Sequence, residues 1–328
     1  MSNVALPTAP PPPFPPYPTY PPHPPIRLGE PWIVWSTAAI LSAFLTGSLI
    51  LFAHQRKHLG SPDSLAGAGT VCGTSRTHVL AFAAFRALNL LWFATLSVLE
   101  WEHNIRLAGE QDSLTFHRSW LPASYTLMCF ALQPFYWVFA LLTSLLHLGS
   151  AKPSSAGAKL VRTCHWYLLE VCLPSSWLVT ITVFLLISPL DLSIVYNDAA
   201  HAHFWNTVAL TADFCANRLP IRAGHFGLML VWMLIYVVYS WVRKASTWLR
   251  FVYWFQSLET PLALLWHPLL GILHVGIYAS LTALSRCKLR HVDRGGCCSP
   301  CLYHTLATDD EQEPSKLATT EIVSSQHA

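Results

Sequence analysis

Residues 226–242, FGLMLVWMLIYVVYSWV, decide the fold: an uncharged run that is closed at once by Arg243 and Lys244. A bilayer crossing needs about 17 to 25 apolar residues in helical form, and basic residues at the end of such a run mark where it meets the headgroups. Residues 262–284 read the same way. Working outward from these two, apolar runs recur at 33–53, 78–99, 121–148 and 168–190, separated by short segments that hold nearly all the Lys and Arg. Of the 328 residues only 11% are charged and 53% are hydrophobic, whereas a soluble domain carries about 25% charged residues. The pattern predicts an all-α, polytopic transmembrane helix bundle of about seven helices. Net charge is only +3, and the basic residues flank apolar runs instead of forming a patch, which excludes a nucleic-acid binder.

The fifth segment, residues 203–216, is the difficult one, because His203, Asn206 and Asp213 interrupt it and Arg218 follows. It is expected to be short or re-entrant. With seven crossings one face of the membrane collects 12 basic residues, among them Arg286, Lys288, Arg290 and Arg294, and the other face six. With six crossings the same count is nine against nine. Cytoplasmic loops carry the Lys/Arg excess, so the reading is seven crossings with the C-terminus cytoplasmic.

The flanks differ in kind. Residues 1–31 hold 13 of the 24 prolines, a composition that sustains no helix and reads as an extended polyproline II arm able to meet a proline-recognition module. Residues 32–77 form an additional N-terminal helix and a Gly/Ser-rich loop, and residues 285–328 a basic, cysteine-rich and then acidic tail. Cys297, Cys298 and Cys301, just beyond the last apolar run, are candidates for S-palmitoylation.

Ionisable residues inside a bilayer are costly, about 2.5 to 3.5 kcal/mol each at a helix centre, so each needs a partner or a purpose. Arg86 lies within the second run, and Asp213 is the acid best placed to meet it. His203, Asn206 and Asp213 fall within about 80° of one another on an ideal helix and form one polar stripe. That stripe either lines a buried site or fixes helix packing by hydrogen bonds. His201 and His203 face different ways on a helix, and His225, His267 and His274 are scattered, so neither a metal site nor a cofactor is expected.

The stretch HAHFWNTVALTADFCANRLPIRAGHF, residues 201–226, resembles the Rolling stone-like branch of a eukaryotic membrane family that also includes the androgen-induced fatty-ester hydrolases. His203, Asn206, Asp213, Arg218, Pro220, Arg222 and His225 carry the likeness, and SYTLMCFALQPFYWVFALLTSLL, residues 124–146, is similar to the family helix that begins with a Thr. The resemblance covers residues 78–284, a six-helix membrane domain. In the hydrolase branch it implies an intramembrane Thr nucleophile activated by a His. Thr126 matches the nucleophile, His203 and Asp213 are the groups that would polarise it, and the catalytic His position is filled by Asn206, whose amide does not accept a hydroxyl proton. The Rolling stone-like branch implies a non-enzymatic role in organising membranes or binding their lipids, with Arg86, Asn206, Asp213, Arg218, Arg222 and His225 as the polar interior. Either branch implies a plasma-membrane or endomembrane protein.

Overall fold

The computed structural model describes residues 31–56, 76–110, 124–149, 155–187, 200–246, 251–259 and 261–293. Among them stand seven α-helices: α1 (Pro31–Arg56), α2 (Arg76–Glu110), α3 (Tyr125–Leu148), α4 (Ala156–Thr182), α5 (Asn206–Ala216), α6 (Phe226–Ser246) and α7 (Ala263–Asp293). Five are long and apolar enough to cross a membrane, over Arg76–Glu102, Tyr125–Leu148, Ala156–Ile187, Ala223–Ala245 and Ala263–Arg290. The chain is thus a multi-pass, all-α membrane protein. The proline-rich arm and Cys297, Cys298 and Cys301 lie outside the described residues.

Two helices start where a serine stops the backbone from fraying. Ser124 accepts a hydrogen bond from the Leu127 amide at 3.1 Å, and Ser155 one from the Ala158 amide at 3.2 Å, each with extended backbone before its helix. The second cap moves a boundary: α4 begins at Ala156, well before the apolar run at 168–190, so Lys159 and Arg162 are helical and Glu170 lies deep inside a helix instead of near its edge. At the other end α7 continues through Asp293, past the expected limit at 284. The fifth segment is short, as expected. Its 11-residue α5 rises only about 17 Å, and a π-helical turn, His201–Trp205, precedes it.

Surface and interior are inverted relative to a water-soluble protein. Trp35, Leu88, Leu91 and Trp92 are exposed, whereas Arg86, Glu170 and Asp213 are fully buried. Lipid tolerates the first set, and a shared interior is the only refuge for the second. α4 is the central helix, with 67% of its spanning window buried against 28% for α2 at the periphery. Phe93 of α2 stacks against Trp137 of α3, ring centres 6.1 Å apart, and Leu169, Leu210, Leu230 and Tyr278 continue this core across α4 to α7. α1 is no separate appendage. Its Ile33 packs with Leu258 and Ala263, and its Leu41 with Leu234 and Val237 of α6.

Candidate functional site

Three polar assemblies occupy the interior. In the first, Arg86 of α2 reaches Asp213 of α5 through a bidentate pair, Nε to Oδ1 at 2.7 Å and Nη2 to Oδ2 at 3.1 Å. Its Nη1 donates to the Ala140 carbonyl and to Ser144 Oγ, both at 2.8 Å, and its guanidinium covers the Phe82 ring at 4.2 Å. Asp213 Oδ2 also accepts from the Tyr136 hydroxyl at 2.5 Å and from Asn217 Nδ2 at 2.8 Å. Both charges are thereby surrounded by matching partners, the condition for holding an ion pair away from water.

The second assembly explains the Arg-x-Pro-x-Arg-x-x-His stretch. Between α5 and α6 the backbone leaves helical form while Asn217, Leu219 and Ile221 are buried, and non-helical backbone away from water persists only where other groups satisfy it. Side chains from α4 and α7 do so. Trp166 Nε1 donates to the Pro220 carbonyl at 2.7 Å, and Ser285 Oγ accepts from the Ile221 amide at 2.9 Å. Glu170 Oε1 accepts from the Arg222 amide at 2.7 Å, and the Tyr278 hydroxyl donates to the Arg222 carbonyl at 2.7 Å. Pro220 has no amide hydrogen to satisfy. His225, fully buried, binds Glu170 Oε2 through Nδ1 and sits edge-on between Trp166 and Tyr167. Lys288 closes the end of α5, donating to the carbonyls of Phe214 at 2.7 Å and Leu219 at 3.1 Å, where a cation meets the negative end of the helix dipole. Arg218 is half-buried, and the Arg222 guanidinium lies 4.7 Å over the Trp166 ring. This is a clasp built from packing and hydrogen bonds.

The third assembly surrounds Thr126, in the first turn of α3. Its hydroxyl shares a hydrogen bond of 3.1 Å with the Tyr253 hydroxyl, from the segment between α6 and α7. Burial pushes the Tyr253 phenol above its ordinary value of 10.0, so the group beside Thr126 is a protonated phenol and not a base. Both residues line a cavity of about 70 Å³ whose walls include Leu41, Leu178, Val183, Val237, Gln256 and His267.

The proposed grouping of Thr126, His203 and Asp213 is not assembled. Arg86 ties Asp213 to the level of Ala140, which is about 21 Å along α3 from Thr126 at 1.5 Å per residue. His203 is half-buried and contributes its backbone carbonyl to Thr180 Oγ1 at 2.7 Å. Nor do His203, Asn206 and Asp213 form one uniform stripe. The π-helical turn at His201–Trp205 breaks the 100° stepping before α5 begins, and Asn206 turns back on its own helix, its Nδ2 donating to the Ala202 carbonyl at 3.1 Å. Tyr136 and Tyr253, which help carry these assemblies, escaped the sequence reading, whereas His267 and Lys288 stood in it only as a scattered histidine and a flanking base, and Glu170 only as an acid near a membrane edge. An acid two residues inside the apolar run at 168–190 was the one signal that could have singled out Glu170.

Among the described residues no group of three or more His, Cys, Asp or Glu is placed to hold a metal ion. Compared with protein-family models, with curated proteins and with solved structures, the chain matches none.

Proposed function

We propose that this multi-pass membrane protein is of the Rolling stone-like type and binds membrane lipid in the Thr126 cavity without turning it over, its other polar assemblies serving to hold the bundle. The observation that carries this reading is the distance between Thr126 and Asp213 along α3, together with the commitment of Asp213 to Arg86, Tyr136 and Asn217. An apolar cavity bounded by five helices and lined by a few uncharged polar groups suits the head of an amphiphile and the start of its tail, the remainder lying in the bilayer. One observation favours the alternative, an intramembrane threonine hydrolase of fatty acid esters: His267 lines the same cavity as Thr126.

The deciding experiment treats purified protein with a serine/threonine-directed fluorophosphonate and, in parallel, looks for co-purified lipid by native mass spectrometry. The expected result is no Thr126-dependent labelling and a lipid adduct that Leu270→Trp, a substitution in the cavity wall, diminishes. Labelling abolished by both Thr126→Ala and His267→Ala selects the hydrolase instead.

A further inference from the structure

The polar atoms of the Thr126 cavity carry a chemical preference. His267 of α7 is 7% exposed, and its Nδ1 lies 2.9 Å from the Ala263 carbonyl of the preceding turn. A carbonyl only accepts, so Nδ1 carries the hydrogen, and in the neutral ring Nε2 is left as a lone-pair acceptor. That Nε2 is buried and has no hydrogen-bond partner among the described residues. Thr182 Oγ1, in a residue 9% exposed, is likewise buried and unpartnered, and it lines the same cavity. The paired hydroxyls of Thr126 and Tyr253 line the same cavity. None of the lining residues is an Asp, Glu, Lys or Arg. An unpartnered buried acceptor is costly until a donor meets it.

Resting on the lipid-binding reading above, we infer that the cavity selects the hydroxyl end of an uncharged lipid alcohol, which donates to His267 Nε2 while the adjoining carbons lie against Leu41, Leu178, Val183 and Val237 and the rest of the molecule stays in the bilayer beyond Ile187. A carboxylate offers no hydrogen to Nε2 and finds no cation in the wall. A phosphate-bearing head likewise finds no countercharge there. An ester or ether without a free hydroxyl fills the space but leaves Nε2 unsatisfied. Ile187, another lining residue, is exposed at 42%, so the wall reaches the lipid-facing surface and a bilayer alcohol need not pass through water. A sterol and a monoacylglycerol both present this chemistry.

The test uses the full-length protein in mild detergent and three photoreactive, alkyne-tagged probes of one chain length: a long-chain alcohol, its methyl ether and the matching carboxylate. The expected result is saturable labelling by the alcohol, at least about tenfold stronger at half-saturation than by the ether or the carboxylate, mapped to peptides that contain residues 178–187 or 263–270. His267→Phe should bring alcohol labelling down to the ether level and leave the ether unchanged. Unlabelled sterol or unlabelled monoacylglycerol should compete, and whichever does identifies the source; competition by neither overturns the inference. Saturable labelling that is equal for alcohol and ether, or stronger for the carboxylate, overturns the alcohol preference while leaving lipid binding intact. Absence of saturable labelling by all three overturns both. Should His267→Phe lose monodispersity, the wild-type comparison of alcohol with ether decides alone.

Discussion

Arg86 and Asp213, 127 residues apart in the chain, meet through two hydrogen bonds of 2.7 and 3.1 Å, and neither side chain has any exposure. Deleting one partner of such a buried pair costs about 3 to 5 kcal/mol, because the other charge is left uncompensated. Asp213→Asn should therefore lower the thermal midpoint in mild detergent far more than Asn206→Ala, whose amide bonds only within its own helix region. Arg86→Leu combined with Asp213→Leu should recover part of that loss, though not all, since Tyr136 and Asn217 lose their acceptor. A double variant no more stable than the worse single one would mean that the charges do not act as a pair.

Glu170 serves two groups at once, the Arg222 amide and the His225 ring. Glu170→Leu should destabilise the bundle by about 3 kcal/mol or more, and His225→Phe should not repair it, because the Arg222 amide stays unsatisfied. Hydrogen exchange at residues 217–225 is the local readout. Unchanged protection there in Glu170→Leu would remove the clasp from the account.

Lys288 and Arg290 are two residues apart, yet only Lys288 reaches the carbonyls at the end of α5. Lys288→Met should cost about 1 kcal/mol. Arg290→Met, on an exposed position of α7, should stay within about 0.5 kcal/mol of wild type. Equal midpoints for the two variants would show that Lys288 is an ordinary surface charge.

The count of 12 basic residues against six predicts that the two termini lie on opposite faces of the membrane. Epitope tags at each end, probed before and after selective permeabilisation, should become accessible at different steps. Simultaneous accessibility would reduce the crossings to an even number and make the short fifth segment re-entrant.

Cys297, Cys298 and Cys301 follow a basic stretch that an anionic leaflet attracts, by about 1 kcal/mol per residue. Acyl-exchange labelling should find a hydroxylamine-sensitive signal that the triple Cys→Ser variant lacks. A wild-type protein without that signal carries no palmitate there.

Lipid as solvent made part of this protein legible from its sequence alone. An uncharged run such as residues 226–242 has few stable fates other than a membrane helix, and the shortness of the fifth segment follows from its polar interruptions. The Arg86–Asp213 contact is legible for the same reason, since a charge in the bilayer interior must find its opposite and the candidates are few. Local sequence does not encode what depends on where separate elements meet. The depth of Glu170 depended on a serine cap twelve or more residues upstream of the apolar run. Thr126 found Tyr253 and His267, and not His203, because α3, α7 and the non-helical segment before it converge on one cavity. Periodicity governs which way a side chain faces on its own helix; which foreign atom it faces is fixed only when the helices pack.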